Sequence, residues 1–240
     1  MSDCVYWATC SFHDLPEHDE WLGSEERAQL ATLRFPKRRH DWRLGRWTAK
    51  RVVSSALEAA GAWHAASPID SARRMDAIQI VAAPDGAPEP KLTPATPGDI
   101  VLSLSHSGDR GFAAASPTRM ALGCDVERIE PRSEAFIADV FALEELPALS
   151  HLSRMFHRDL AATLVWSAKE SALKALRTGL REDTRSVVVD VDISRGGLSV
   201  RSAKGQMHGW WWVDEGFVHT LVSDCRRGRV MQARARAGAG

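Results

Sequence analysis

Two acidic side chains at alternate positions are the first residues whose types and spacing could do chemistry. Asp125 and Glu127 stand at the end of the apolar run 120–126, and residues two apart in a strand point to the same side. Convergent carboxylates repel each other unless a cation lies between them. Oxygen ligands without a nearby His or Cys favour Mg²⁺ over zinc. Such a pair is common by chance, so surface decoration is the alternative interpretation.

A third acid and a lysine follow in a segment with helical spacing. Trp166, Glu170 and Lys174 stand at positions i, i+4 and i+8, so they share one helix face. Glu and Lys at this spacing could form only a surface ion pair of small value. The tryptophan beside them favours a face that is partly buried, as at a cleft.

Two further groups could bind an anion. Ser105 and His106 end a strand-like run that enters the turn sequence SGDRG at 107–111, where His and backbone N–H groups suit a phosphate. A hairpin-tip histidine without a role is the alternative. Segment 34–51 holds eight Lys or Arg residues and one acid. Arg39, Arg43, Arg46 and Lys50 would share one helix face there, which is either a solvated surface or the counter-charge of a phosphate-bearing ligand.

These residues need helices and strands to hold them together. The spacing and the capping residues predict helices over 24–35, 38–60 and 154–177, with an interruption at Pro36. The predicted strands are 78–82, 100–105, 112–115, 120–126, 187–193, 198–201, 209–213 and 217–223. The proline-rich segment 84–98 predicts an extended, loop-like connection, and the segment after about 231 is expected to fray.

A repeated helix sequence suggests an internal duplication. WTAKRVVSSAL begins at Trp47 and WSAKESALKAL at Trp166, 119 residues later, with five of eleven positions identical. A chance match in an alanine-rich helix is the alternative. The duplication predicts an α+β pseudo-dimer of two similar halves, 1–122 and 123–240. Each half would pack a long helix on a small antiparallel sheet, with a cleft between the halves.

The composition excludes several classes of protein. Lys plus Arg and Asp plus Glu each number 31, so the net charge is zero, which argues against a general binder of nucleic acid or membrane surfaces. Apolar residues make up 44% and charged residues 26%, as in soluble globular proteins. Four cysteines without a CxxC pair, no secretory leader and no long apolar run predict a reduced, cytoplasmic protein. The motifs of triad hydrolases, P-loop NTPases and dinucleotide-binding proteins are missing.

In this order and spacing, the motifs resemble those of the Sfp-type 4′-phosphopantetheinyl transferases. The similar stretches are LGSEERAQLATLRFPKRRHDWRLGRWTAKR, DGAPEPKL, LSLSHSGDRGFAAA, LGCDVERI and WSAKESALKAL, which span residues 22–176. The resemblance implies transfer of 4′-phosphopantetheine from coenzyme A to a serine of an apo acyl or peptidyl carrier protein, with Mg²⁺ or Mn²⁺. The other product would be adenosine 3′,5′-bisphosphate. It also implies the pseudo-dimer fold, with coenzyme A between the halves.

The resemblance also assigns roles to residues. It implies that Asp125, Glu127 and Glu170 hold the metal and that Glu170 and Lys174 are catalytic. The implied contacts of coenzyme A are Arg46, Lys50, Gly86, Ala87, Pro88, Ser105, His106, Asp125, Lys169, Glu170 and Lys174. One position departs from the family pattern, because Ala87 stands where a basic residue is usual. Lys91 or the arginines of the basic helix would then replace that charge.

A noncatalytic protein that binds coenzyme A or RNA through the basic helix is the competing hypothesis. RNA binding would need exposed aromatic residues among the basic ones, and dependence on a metal would separate the two hypotheses. For the transferase we expect a monomer, since one chain already holds both halves. Its partners would be coenzyme A and carrier domains, without nucleic acid or membrane. The pathway that supplies the carrier stays open.

Overall fold

The computed structural model describes residues 4–61, 75–93, 100–225 and 229–233. Within these residues the fold is α+β, with five α-helices and eleven strands. The helices are α1 (Ser24–Thr32), α2 (Pro36–Ala59), α3 (Glu134–Val140), α4 (Leu146–Met155) and α5 (Arg158–Ala175). The strands are β1 (Cys4–Ser11), β2 (Ile78–Ala82), β3 (Pro88–Leu92), β4 (Val101–Ser107), β5 (Arg110–Ser116), β6 (Leu122–Arg128), β7 (Val188–Asp192), β8 (Gly197–Ser202), β9 (Gly205–Asp214), β10 (Phe217–Ser223) and β11 (Arg229–Gln232).

Two sheets with related strand orders form the core of the two halves. The first sheet has the order β11-β1-β5-β4 and the second has the order β6-β10-β9-β8-β7. In both, the strand before the long helix pairs with the last strand of the hairpin that follows it, giving β1-β5-β4 and β6-β10-β9. All pairings are antiparallel except β1 with β11. The predicted α+β fold of two similar halves is therefore confirmed.

Each sheet carries its long helix on one face. Helix α2 packs Val52, Val53 and Ala56 onto the first sheet, and α5 packs its alanines and Val165 onto the second sheet. The contact of α5 with β6 is unusually close at Gly123, where a Cβ atom would lie 1.8 Å from the Ser171 carbonyl oxygen. Only glycine permits this approach, which brings the polar face of α5 against the acids of β6.

Serine hydroxyls join the two halves where β4 runs beside β6. The Ser103 hydroxyl accepts a hydrogen bond from the Cys124 amide (2.9 Å), and the Ser107 hydroxyl accepts one from the Arg128 amide (3.2 Å). Phe112 of the first sheet shares a hydrophobic cluster with strands β6 and β10 of the second. The halves thus meet through both a polar seam and an apolar core.

Each half also contains a fully buried ion pair between a glutamate and a lysine of its long helix. In the first half, Lys50 Nζ lies 2.5 Å from Glu26 and donates to the carbonyl oxygens of Trp21 (2.8 Å) and Met75 (2.9 Å). Glu26 in turn accepts from the backbone N–H groups of Gly23 and Ile80.

The second half repeats this arrangement with a lysine and a glutamate that both lie 119 residues later. Lys169 Nζ lies 2.7 Å from Glu145 and donates to the carbonyl oxygens of Thr184 and Val187. Glu145 accepts from the N–H groups of Ala142 and Val189, two more backbone donors in the same roles. The pair is duplicated together with its hydrogen bonds, which supports the common origin that the repeated helix sequence suggests.

Several elements differ from the prediction. Pro36 begins α2 at its first turn, where the missing N–H costs nothing. The predicted helix 154–177 corresponds to α5, which begins only at Arg158 because the chain is extended at Phe156 and His157. Helices α3 and α4 lie where no helix was predicted. Pro88–Leu92 in the supposed loop forms β3 and pairs with β2, while residues 94–98 of that segment lie outside the described residues. β11 pairs with β1 where fraying was expected, and residues 234–240 also lie outside that description.

None of the described helices combines the length and apolar character that crossing a membrane would require.

Candidate active site

Asp125 is the buried centre of a polar group formed by β4, β6 and α5. The side chain is 2% exposed. The Ser105 hydroxyl donates to its Oδ1 (2.6 Å), and the Ser167 hydroxyl donates to its Oδ2 (2.8 Å). Lys174 Nζ lies 2.7 Å from Oδ1 and 3.0 Å from the Ser105 hydroxyl. Three predicted site residues, Ser105, Asp125 and Lys174, are thereby in direct contact.

Glu127 lies on the same side of β6 and faces the same helix. Its Oε1 accepts a hydrogen bond from the indole N–H of Trp166 (3.1 Å), and its Oε2 lies 3.4 Å from the Arg132 guanidinium. Burial raises the pKa of Glu127, and the negative charge of Asp125 raises it further. Asp125 and Glu127 of β6 therefore both contact the face of α5 that carries Trp166 and Lys174. The sequence predicted that these residues would share faces.

Glu170 adds a third carboxylate without a balancing contact. Its Oε1 is buried and has no hydrogen-bond partner among the described residues. Burial, and then the charges of Asp125 and Glu127, raise the pKa of Glu170 to about 7. Burial alone would lower the pKa of Lys174, but the Asp125 carboxylate raises it overall, so this ammonium stays charged. The group holds more negative charge than its one lysine offsets.

The donor set fits a divalent cation. Carboxylate oxygens are the ligands that Mg²⁺ and Mn²⁺ prefer, and the unpartnered Glu170 oxygen and the raised pKa of two acids indicate missing positive charge. In the described ranges, however, no three acid, His or Cys side chains are close enough to form a ready-made metal site. The residue types therefore suit a divalent cation, but their present positions do not form its site. Lys174 beside Asp125 supplies part of the positive charge.

Two neighbouring cavities hold most of the other predicted residues. The larger, about 1220 Å³, is lined by Gly86, Ala87 and Pro88 of the β2–β3 turn and by Lys174. Its volume exceeds the range of about 300–1,000 Å³ usual for small-molecule pockets. The smaller, about 340 Å³, is lined by residues of α2 and β4 that include Arg38, Trp42, Arg46, Ser105 and His106. Leu104 lines both cavities, so they adjoin at β4.

Arg46 is the one residue of the predicted basic face that retains an unsatisfied donor in the smaller cavity. Its guanidinium lies over the Trp42 ring, 4.7 Å from the centroid. Its Nε is buried and lacks a hydrogen-bond partner in the part of the chain described here. Burial lowers the pKa of Arg46, opposed by the charge of Glu26. An anion in this cavity would complete the side chain's hydrogen bonds.

The rest of that face is not a free positive surface. Arg39 donates to the carbonyl oxygens of Leu30 and Leu33. Arg43 donates to the Pro16 carbonyl and pairs with Asp19 at 2.9 Å. These two arginines hold the N-terminal segment against α2. Their guanidinium groups therefore bind backbone carbonyl oxygens and Asp19, and not the phosphate of a ligand as the row of basic residues suggested.

Lys50 and Lys169 are not placed to bind coenzyme A, contrary to the prediction. Both side chains are 0% exposed, and each ammonium is taken up by a glutamate and two backbone carbonyls. Neither residue lines either cavity. Burial lowers the pKa of both lysines, opposed by their partner carboxylates. The two lysines hold the fold of their halves together.

A cluster of ion pairs beside the larger cavity had no signal in the residue pattern. Arg177 donates to both carboxylate oxygens of Asp85, at 2.7 and 2.9 Å, and pairs with Glu89 at 2.9 Å. These contacts tie the β2–β3 hairpin to the chain just after α5. Lys91 of β3, a suggested substitute for the missing basic residue at 87, instead pairs with Glu25 of α1 and does not line the cavity.

Comparison with known proteins gives a family for the second half. Residues 121–222 match the model of the 4′-phosphopantetheinyl transferase superfamily. The match runs from β6 to β10 and includes Asp125, Glu127, Glu170 and Lys174. This segment is therefore a domain of a transferase superfamily. No curated protein matches the chain.

Proposed function

We propose that the protein is an Sfp-type transferase that moves 4′-phosphopantetheine from coenzyme A to a serine of an apo acyl or peptidyl carrier protein. One observation carries the proposal. The segment that matches the superfamily is the one in which Asp125 contacts Lys174 and acts electrostatically with Glu127 on Glu170, next to a cavity of about 1220 Å³. We also propose that the chain acts as a monomer of 26.4 kDa, which light scattering tests directly.

The reaction is a phosphoryl transfer. The carrier serine oxygen forms a bond to the phosphorus that carries pantetheine, and the bond from this phosphorus to the bridging oxygen of the pyrophosphate breaks. Adenosine 3′,5′-bisphosphate leaves with the electron pair. Glu170 would accept the serine proton, since a pKa of about 7 suits a general base at neutral pH. Lys174 would stabilise negative charge on the pyrophosphate.

Asp125, Glu127 and Glu170 would hold the metal. A bound Mg²⁺ or Mn²⁺ supplies positive charge to the transferring phosphate. In that state Glu170 could act as ligand, base or both. Arg46, Ser105 and His106 would bind the phosphates of coenzyme A from the smaller cavity. Gly86, Ala87 and Pro88 would form one wall of its site in the larger cavity. Lys50 and Lys169 are left out for the reasons given above.

Intact-mass measurement of carrier domains tests the proposal. The protein is incubated with coenzyme A, Mg²⁺ and a panel of apo acyl and peptidyl carrier domains. We expect one of them to gain the mass of a single phosphopantetheine group, and EDTA or replacement of the carrier serine by alanine to abolish the gain. Binding of coenzyme A without modification of any carrier, unaffected by EDTA, would instead favour a noncatalytic binding protein.

The variant Glu170→Gln sharpens the test because it keeps the shape of the side chain but removes its charge. We expect the transfer rate to fall by about 10²–10⁴, the usual contribution of a general base. Glu182→Gln serves as the matched control and should retain the wild-type rate, since Glu182 is a half-buried glutamate shortly after α5 whose carboxylate, among the described residues, accepts only from the Ser186 hydroxyl.

A further inference from the structure

The corner between α1 and α2 exposes an aromatic ring among cations. Phe35 is 72% exposed, and Arg34, Lys37 and Arg38 beside it are also exposed. We call these four residues the Phe35 corner. A single exposed apolar side chain is ordinary, so the feature that distinguishes this corner is the combination of the ring with three exposed cations. Packing within the chain does not require the ring.

The corner is held rigidly from behind. Arg39 donates to the carbonyl oxygens of Leu30 (2.7 Å) and Leu33 (3.3 Å) and so closes the end of α1 onto the first turn of α2. Pro36 fixes the backbone at the start of α2. Phe35 therefore points outward from an ordered corner, and a partner would not have to order the backbone on binding.

The positive charge of the corner is largely unbalanced. Lys37 pairs with Asp41 at 2.8 Å. Arg34 and Arg38 make no hydrogen bond or ion pair with any described residue. Because the chain as a whole has no net charge, this local excess is a distinct feature of its surface. Its electrostatic complement is a surface rich in Asp and Glu.

The corner also adjoins the candidate active site. Arg38 belongs to the corner and lines the smaller cavity together with Arg46, Ser105 and His106. The helical rise of about 1.5 Å per residue places Arg38 about 12 Å from Arg46 along α2. A protein bound at the corner would therefore lie beside the site at which its serine must react.

We propose that the Phe35 corner is the docking surface for an acidic face of the carrier protein. Phe35 provides an apolar anchor, and Arg34 and Arg38 attract the carrier and orient it. This assignment rests on the proposed transferase function. A single-stranded RNA or an anionic membrane would also suit cations beside an aromatic ring, and these occupants are outcomes of the test.

The test measures carrier and coenzyme A kinetics separately. The variants are Arg34→Glu and Phe35→Ala, and Lys204→Glu at the exposed β8–β9 turn is the matched control. The substrate is a carrier domain that the wild-type protein modifies. We expect either corner variant to raise KM for the carrier about tenfold, while KM for coenzyme A and Tm stay unchanged. The Arg34→Glu effect should weaken as salt rises to about 1 M, because exposed charges are screened, and the Phe35→Ala effect should not.

The possible failures are distinguishable. If the wild-type protein modifies no carrier domain, the transferase function is rejected and the docking surface with it. If it does modify one and both corner variants keep the wild-type carrier KM, only the docking surface is rejected. The same holds if the variants lose affinity for a single-stranded RNA oligonucleotide, or for vesicles containing an anionic lipid, while carrier KM is unchanged.

Discussion

The two halves share a buried ion pair but differ at the next residue along the helix. Lys50 and Lys169 are equivalent in sequence, in burial and in their hydrogen bonds. The position after each lysine is Arg51 in α2 and Glu170 in α5. Arg51 contacts the Cys10 thiol within the first half, whereas Glu170 faces the acids of β6. Strand β1 holds no acid at all.

The duplicated residues therefore mark the scaffold, and the residues that differ mark the site. Identity between the two copies, which first drew attention to the WTAK and WSAK segments, is highest where the side chains are structural. The charges at Glu170 and Lys174, against Arg51 and Ser55 in the first half, belong to the copy that matches the transferase superfamily. In this chain, the positions that differ between the two copies indicate the candidate site better than the identical positions do.

The largest expected effect comes from removing either buried lysine. Lys50→Met and Lys169→Met should each lower the free energy of unfolding by about 3–5 kcal/mol, since each leaves a buried glutamate charge unpaired. Urea denaturation measures both losses. Lys204→Met on the exposed β8–β9 turn should change stability by less than about 0.5 kcal/mol. Clearly unequal losses at Lys50 and Lys169 would break the equivalence of the halves.

His219 should make the contact between the halves sensitive to acid. Its ring stacks on Trp212 (centroids 5.1 Å apart) and meets Phe112 edge-on, and neither ring nitrogen has a partner within the described ranges. Burial, and then the charge of Arg110, lower the pKa of His219 to about 4. The unfolded chain binds this proton near pH 6.5, so stability falls as pH drops from about 6.5 to 4, by up to about 3 kcal/mol.

Unfolding measured between pH 7 and pH 4 tests this effect. His219→Phe keeps an aromatic ring in the stack and should remove this part of the pH dependence. His208→Phe, a half-buried histidine on the neighbouring strand β9, is the matched comparison and should leave it in place. An unchanged pH profile in His219→Phe would show that the acid sensitivity lies elsewhere.

Glu170 should give a pH dependence of the opposite sign over nearly the same pH range. Because the pKa of Glu170 is raised to about 7 in the folded protein, stability falls as pH rises from about 4.5 to 7. Glu170→Gln should therefore raise the free energy of unfolding at pH 8 by about 1–2 kcal/mol, a value reduced for partial solvation. Thermal unfolding measures the gain, and Arg51→Gln in the first half should show none.

Addition of Mg²⁺ at pH 8 tests whether Glu170 takes part in binding a metal, by comparing the Tm of the wild-type protein and the two variants. A cation held by the acids should raise the Tm of the wild-type protein and of Arg51→Gln, because a ligand that binds only the folded state stabilises it. It should raise the Tm of Glu170→Gln much less. An equal rise in all three proteins would place the ion away from Glu170.

The smallest effect concerns the β2–β3 hairpin. Its counterpart β7–β8 is hydrogen-bonded into the second sheet, whereas β2–β3 forms a separate two-stranded sheet. Exposed ion pairs of Arg177 with Asp85 and Glu89 tie it to α5. Arg177→Ala should cost about 0.2–1 kcal/mol, less at high salt, speed hydrogen exchange in β2–β3 and raise KM for coenzyme A a few-fold. Arg201→Ala, which breaks an exposed pair with Glu144, should do neither.

The helices α1, α2 and α5 and the hairpin strands were predictable because their signals are local. Strands 78–82 and 217–223 have the predicted bounds, and α2 begins two residues before its predicted start. β1 and β11 were missed because they pair across almost the whole chain, and four residues of β11 carry little pattern of their own. The short helices α3 and α4 were not predicted, since seven and ten residues hold only two to three helical turns of pattern.

The acids of the site were predictable, but the partners of the cations were not. The spacing of Asp125, Glu127, Glu170 and Lys174 placed them on faces that do meet. Arg39 and Arg43 bond mainly to backbone carbonyls, which leave no mark in the residue types. For the buried lysines a signal did exist, since Glu26 and Glu145 are separated by the same 119 residues as Lys50 and Lys169. This shared separation indicates two equivalent ion pairs only once the four side chains are known to be buried.

The parallel pairing of β1 with β11 has a consequence for synthesis in the cell. β11 is made about 225 residues after β1, an interval of about 11–45 s at about 5–20 residues per second. During that interval one edge of β1 has no strand beside it, and an open edge can pair with another chain. Nascent chains are therefore more prone to aggregate through this edge before β11 emerges than after β11 has paired with β1.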